Sequence, residues 1–165
     1  MKNWMEIDSS LDYQLWERVC KDFNFKPSIH KEEWPSFTPP SPFIVYNIAH
    51  IYGPNFEKLY SDLETCITKA MIECSDEDDY LYVLDWQHES YLFNPRLDSP
   101  KNELNEWPIP LYPNGDYYFF IEKDFSWGYL GHPWEKSICI FGEELLKAIE
   151  RNKPKLFNQE LRRSI

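Results

Sequence analysis

The chain has 165 residues, among them 7 Trp, 11 Tyr and 11 Phe, and a formal net charge of −11. This length fits one domain over residues 1–165, and so many large apolar rings exclude a disordered chain. The negative charge disfavours binding to nucleic acid or to anionic lipid, and leaves a basic protein partner, a small ligand or solubility as its purpose.

The first third of the chain predicts a helix, a connector and a strand. Ser9 or Ser10 can cap the helix, which runs to about Phe23 with apolar residues at helical spacing. Residues 35–42 contain four prolines and should be extended rather than helical. The segment from Phe43 to Ile51 is rich in β-branched and aromatic residues, which favours a strand.

The middle of the chain continues with a second helix and then turns to strands. Apolar residues at steps of three and four predict a helix over Phe56–Cys74. Tyr80–Trp86 is a predicted strand, and Tyr91–Phe93 is its expected hairpin partner. The prolines in Trp107–Pro110 favour an edge position or an extended crossing, and the turn residues before Asp116–Glu122 introduce another strand.

The last elements are a strand and a helix. Ser137–Phe141 is apolar on both faces, so it should lie centrally in the sheet. Gly142 then turns the chain into a helix of roughly Glu143–Arg151, with acidic residues at its start and basic ones at its end. The whole pattern predicts a single α+β domain, with a mostly antiparallel sheet of about five strands and helices packed on one face.

Two polar clusters interrupt apolar sequence and are the candidate catalytic residues. Asp85 and His88 follow one strand, and His132 and Glu135 flank a proline further on. Carboxylates and imidazoles can perform acid–base catalysis or bind a metal. Positions three apart point to opposite faces of a regular strand, so Asp85 and His88 converge only if a turn begins near Gln87. We therefore expect no metal and no cofactor.

The candidate binding residues are of two kinds. Tryptophans near the polar clusters would line a pocket in a small-ligand binder or hydrolase. They are Trp86, Trp107, Trp127 and Trp134. The alternative is that the histidines bond to backbone at strand ends while Trp86 and Trp134 lie in the core.

The second kind of candidate is an acidic stretch. Residues 57–91 hold ten acids and two bases, whereas residues 151–165 hold one acid and five bases. The densest part contains Glu73, Asp76, Glu77, Asp78 and Asp79. Such a face could meet a basic protein with fast electrostatic steering, although it could also be a solvated surface.

The remaining signals are negative. The four cysteines, Cys20, Cys66, Cys74 and Cys139, form no C-x-x-C pair, so we expect them to be small buried hydrophobic residues. The start of the chain lacks the apolar run of a signal peptide, and no segment approaches about 18 apolar residues. A cytoplasmic location without membrane contact is expected, and the oligomeric state stays open.

Several motifs together resemble a bacterial family catalogued as domain of unknown function 2716. They are Leu84-Asp85-Trp86-Gln87-His88, Phe93-Asn94-Pro95, Asn114-Gly115-Asp116-Tyr117-Tyr118, Gly131-His132-Pro133-Trp134-Glu135 and Ile140-Phe141-Gly142. The resemblance covers most of the chain and implies a bacterial cytoplasmic protein, but it supplies no catalytic roles. By analogy with other small acidic bacterial proteins, we expect a non-enzymatic interaction module, such as an immunity-type inhibitor of a basic toxin. The alternative is the pocket-bearing binder or hydrolase.

Overall fold

Eight antiparallel strands form one sheet in the computed structural model, which describes residues 3–97 and 106–165. The strands are β1 (Trp4–Glu6), β2 (Phe43–Asn47), β3 (Leu81–Asp85), β4 (Tyr91–Phe93), β5 (Tyr118–Glu122), β6 (Gly128–His132), β7 (Ser137–Phe141) and β8 (Glu160–Ser164). Their order across the sheet is β1-β4-β3-β5-β6-β7-β2-β8, and every neighbouring pair is antiparallel. The predicted fold class is confirmed, but the sheet has eight strands rather than about five.

Over the same two described ranges, three α-helices accompany the sheet: α1 (Ser9–Asp22), α2 (Phe56–Glu73) and α3 (Glu143–Arg151). The predicted bounds of the second and third helices are confirmed to within one residue. The cap of α1 differs from the prediction, because the Asp8 carboxylate accepts the Leu11 N–H at 2.8 Å. Within the described residues, no helix has the length and apolar character needed to cross a bilayer.

The helices lie on both faces of the sheet, so the prediction that they pack on one face is wrong. Successive side chains of a strand point to opposite faces, and β5, β6 and β7 are apolar at nearly every position. Both faces therefore need cover. Helices α2 and α3 bury one face through residues such as Leu63, Ile67 and Leu145, whereas α1 buries the other through Leu15 and Val19.

Three strands were absent from the sequence prediction. β1 has only three residues, β6 begins and nearly ends with glycine, and β8 carries two arginines and is largely exposed. Each lacks the run of β-branched or alternating apolar residues that marks a strand. β6 is nevertheless fully buried between β5 and β7, since its backbone pairs on both sides.

Other predicted elements are shorter than expected or belong to no strand. β2 ends at Asn47, and a single 3₁₀ turn at Ala49–Ile51 follows it. Trp107 and Ile109 belong to no strand and instead fill the core beneath α2, which agrees with an extended crossing. β7 lies between β6 and β2 and is buried along its length, so its central position is confirmed.

Candidate functional site

Asp85 ends β3 and turns the chain back on itself. Its Oδ1 atom accepts the backbone N–H of Gln87 at 3.0 Å and that of His88 at 3.2 Å. An aspartate that binds the backbone two and three residues ahead forms a tight local turn. The strand geometry that would have separated Asp85 from His88 therefore stops at Asp85, and the two side chains meet.

A third side chain, Asp116, joins this pair from the segment before β5. Antiparallel pairing sets Asp85 opposite Tyr118, so Asp116 comes level with the turn that follows β3. Nδ1 of His88 lies 3.3 Å from Oδ1 of Asp85 and 3.6 Å from Oδ2 of Asp116. The Gln87 N–H donates to the same Asp116 oxygen at 3.1 Å. We call these three side chains the Asp85–His88–Asp116 cluster.

Two buried carboxylates face one exposed imidazole in this cluster. Asp85 and Asp116 are 7% and 4% exposed, whereas the side chain of His88 is 66% exposed. Burial, together with the hydrogen bond and charge of Asp85, raises the pKa of Asp116 to about 7. The hydrogen bond and charge of Asp85 also raise the pKa of His88. The Asp116 shift reflects poor hydration and a nearby like charge, whereas the His88 shift reflects the attraction of a protonated imidazole to a carboxylate.

His132 lies in a different environment, buried at the end of β6. Its Nδ1 atom accepts the Glu135 N–H at 3.0 Å, so the neutral ring carries its proton on Nε2. That nitrogen lies 3.0 Å from Oγ of Ser36 and donates to it. Burial lowers the pKa of His132 to about 4. In this tautomer His132 cannot remove a proton from Ser36, and its contacts support the fold-stabilising interpretation.

Glu135 is fixed by an ion pair that the sequence did not reveal. Arg162 of β8 donates to both carboxylate oxygens, at 3.0 and 2.9 Å, and the Ser137 hydroxyl donates at 2.6 Å. Burial acts to raise the pKa of Glu135, but the hydrogen bonds and charge of Arg162 outweigh it, and the pKa is lowered. Glu135 is therefore a structural carboxylate that ties the β6–β7 turn to β8.

Tyr117 separates the two polar clusters. Its ring lies 4.9 Å from that of His132, and its hydroxyl donates to Ser36 at 3.2 Å. The preceding residue, Asp116, belongs to the other cluster. His132 consequently packs against Tyr117, and neither His132 nor Glu135 belongs to the Asp85–His88–Asp116 cluster.

A surface cleft of 160 Å³ lies beside Asp116 and Tyr117. Its lining consists of Pro27, Ser28, Ile29, Trp86, Gln87, Gly115, Asp116, Tyr117 and Trp134. Trp86 and Trp134 are 42% and 47% exposed, so the expectation that they lie in the core is wrong. We call this feature the Trp86–Trp134 cleft.

The other two candidate tryptophans lie away from the cleft. Trp107 and Trp127 are buried in the core on the α2 face. Of the four polar candidates, none lines the cleft, although Asp85 and His88 contact Asp116, which does. The predicted pocket of four tryptophans and four polar residues is thus divided among the cleft, the cluster beside it and the interior.

The acidic stretch is partly neutralised within the fold. The Glu73 carboxylate accepts hydrogen bonds from the Arg151 guanidinium at 2.8 Å and from the Asn152 amide at 2.9 Å. These bonds join α2 to the end of α3. The Asp79 carboxylate forms an ion pair with the Lys123 ammonium at 2.7 Å. Asp76, Glu77 and Asp78 lie in the turn between α2 and β3. Two of the five acidic candidates therefore stabilise the chain through internal pairs.

Comparison with known proteins confirms the resemblance seen in the sequence. The family described as "Protein of unknown function (DUF2716)" matches residues 6–146. A Bacillus subtilis relative, "Uncharacterized protein YxiI", is 41% identical over 165 residues, which cover 97% of this chain and 100% of the relative. No solved structure gives a significant match.

Proposed function

This chain belongs to the DUF2716 family, and we propose that it is a non-enzymatic interaction module that binds a basic partner protein. The specific form of the proposal is an immunity-type inhibitor that neutralises a basic toxin. One observation carries it: two exposed tryptophans flank a cleft whose lining includes the buried carboxylate of Asp116.

Exposed tryptophans beside a carboxylate suit a lysine or arginine side chain. A cation over an indole face gains about 0.5–2 kcal/mol, and more as water is removed. Tryptophan is also enriched among the few residues that carry most of the binding energy at interfaces. Trp86 and Trp134 thus offer two adjacent anchors for one basic segment.

Charge complementarity favours a basic partner. The chain carries a formal net charge of −11, which would speed its encounter with a positive surface. A further carboxylate stands close to the cleft, because Glu33 accepts the hydroxyl of the lining residue Ser28 at 3.1 Å. A basic partner would therefore be attracted by the net negative charge of the chain and would then contact carboxylates at the cleft.

The contacts made by His132 and Glu135 favour binding over catalysis. The His132 proton on Nε2 is directed at Ser36, and both oxygens of Glu135 are held by Arg162. The cleft volume of 160 Å³ is also below the roughly 300 Å³ typical of a small-molecule pocket. A hydrolase would need these residues free and open to substrate.

The test is direct binding of the purified chain to each basic protein encoded by the adjacent genes. We expect association that weakens strongly from about 0.05 to 0.5 M salt, because exposed charges are screened over that range. The double substitution Trp86→Ala and Trp134→Ala should weaken binding by at least about 30-fold, the loss of one strong interface anchor. Isothermal titration calorimetry measures both effects.

A matched control is Tyr13→Ala, which removes an aromatic side chain that is 66% exposed on α1 and does not line the cleft. It should leave the affinity unchanged. The proposal is overturned if no adjacent basic protein binds at low salt, or if Tyr13→Ala weakens binding as much as the double tryptophan variant.

A further inference from the structure

We infer that Asp85, His88 and Asp116 form a binding site for one divalent transition-metal ion of the zinc class. The inference goes beyond the proposed function and does not rest on it, because metal binding is measured on the purified chain alone. Three features of the cluster carry the argument: the spacing of its donor atoms, the way the backbone holds them, and their chemical type.

The spacing of the donor atoms matches a metal polyhedron. One donor atom from each of the three side chains lies within 4.8 Å of the other two. The two measured imidazole–carboxylate separations are 3.3 and 3.6 Å. Ligands about 2.0–2.1 Å from a tetrahedral zinc ion lie roughly 3.3–3.4 Å from one another. An ion could therefore enter with little rearrangement of His88.

Backbone N–H groups hold both carboxylates in place. Oδ1 of Asp85 accepts two N–H groups of its own turn, as described above. Oδ1 of Asp116 accepts the Tyr117 N–H at 2.8 Å, while Oδ2 accepts that of Gln87. Hydrogen bonds of this kind orient metal ligands and strengthen the site. The arrangement is thus built before any ion arrives.

The donor types select the class of ion. One imidazole nitrogen with two carboxylate oxygens suits zinc and its first-row neighbours, whereas magnesium and calcium prefer oxygen donors throughout. An ion of charge +2 would offset the two buried carboxylates. The exposure of the His88 side chain leaves a route from solvent and room for water or a partner side chain to complete the coordination.

A different account of the same geometry is a carboxyl pair that shares a proton and takes no metal. Titration calorimetry with zinc chloride separates the two accounts. It is done in a Cys20→Ser background, since Cys20 is an exposed free thiol and the expectation that it is buried is wrong. We expect one zinc ion per chain, and magnesium chloride should bind at least about 100-fold more weakly.

Variants assign the ion to the cluster. His88→Ala and Asp116→Asn should each weaken zinc binding by at least about tenfold. The control His50→Ala removes an exposed histidine from the turn that follows β2 and should leave binding unchanged. Circular dichroism verifies that each variant is folded, and the visible spectrum of bound cobalt(II) gives a second readout of the same substitutions.

Two results overturn the inference: zinc binding that is not one-to-one, or binding that survives both His88→Ala and Asp116→Asn in folded protein. Either result leaves the proposed function intact, because partner binding is tested separately with the substitutions of Trp86 and Trp134. Conversely, one-to-one zinc binding without any partner would retain the metal site and reject the interaction module.

Discussion

His132 is neutral in the folded chain because it is buried and both of its ring nitrogens are engaged. Burial holds its pKa near 4, below the ordinary value of 6.5. Between these two pH values the unfolded chain binds a proton that the native chain does not, so stability falls as the pH drops through this window. The loss amounts to about 3 kcal/mol at pH 4 and is complete only below that pH.

We therefore predict that His132→Gln flattens the acid dependence of stability. Between pH 7.5 and 4.5, the free energy of unfolding of the unmodified chain should fall by about 2–3 kcal/mol more than that of the variant. Urea unfolding at the two pH values measures the difference. Glu135 also contributes acid sensitivity, but its lowered pKa acts below the ordinary value of 4.5 and is common to both proteins. Parallel pH profiles for the two proteins would contradict the prediction.

Single residues show how far the sequence could predict the site. Four polar residues stand out because they interrupt apolar stretches of the sequence: Asp85, His88, His132 and Glu135. Their division into two clusters depends on which atoms each side chain contacts, and spacing does not encode that. Asp116 was missed, although its position just after the Asn114-Gly115 turn and level with the end of β3 was a usable signal once strand pairing was known.

At the scale of elements, Gly142 is the residue on which the β7–α3 junction depends. Its φ is +95°, and a Cβ atom there would lie 2.4 Å from the Ser126 carbonyl oxygen and 2.5 Å from Cβ of Trp127. Both the conformation and the lack of space require glycine. The junction sets the direction in which α3 leaves β7, and α3 packs on the same face of the sheet as α2.

Gly142→Ala should lower the free energy of unfolding by about 2–5 kcal/mol, through backbone strain and a clash with rigid backbone. The matched control is Gly53→Ala, where the nearest atom is 3.9 Å from the added carbon. That change should stay within about 1 kcal/mol. Chemical denaturation measures both, and equal effects would contradict the proposed role of Gly142.

Elements with strong periodicity could be predicted from sequence, and those defined by their neighbours could not. α2 repeats apolar residues over 18 positions, and β7 is apolar at every position after Ser137, so both signals are local. β6 contains glycines because its backbone lies close to Phe141 and Pro113, and β8 is polar because it lies at a sheet edge. Their strand character comes from pairing partners distant in sequence.

At the scale of the whole molecule, the part of the chain that the structure describes is one sheet with a core on each face. Val19 of α1 and Ile67 of α2 are both completely buried, but in different cores. Residues without shared partners usually contribute independently to stability, whereas the shared sheet makes unfolding cooperative. Only Ser137–Phe141 was recognised from the sequence as apolar on both faces, and one such strand did not predict a second core.

We predict that Val19→Ala costs about 1–3 kcal/mol and Ile67→Val about 0.5–1.5 kcal/mol, and that the double variant loses their sum within about 0.5 kcal/mol. Fluorescence and circular dichroism should report a single coincident unfolding transition. A coupling energy above about 1 kcal/mol, or two separate transitions, would show that the two cores are organised differently.

The position of β8 affects how the protein can be produced. The family match ends at residue 146, inside α3, yet β8 covers the edge of β2 and supplies Arg162 to Glu135. A fragment trimmed to the matched region would expose the apolar strand Phe43–Asn47 as a bare edge, which invites aggregation. It would also leave the largely buried carboxylate of Glu135 without its guanidinium partner. Recombinant production should therefore extend through residue 164, and insoluble shorter fragments would say nothing about the domain itself.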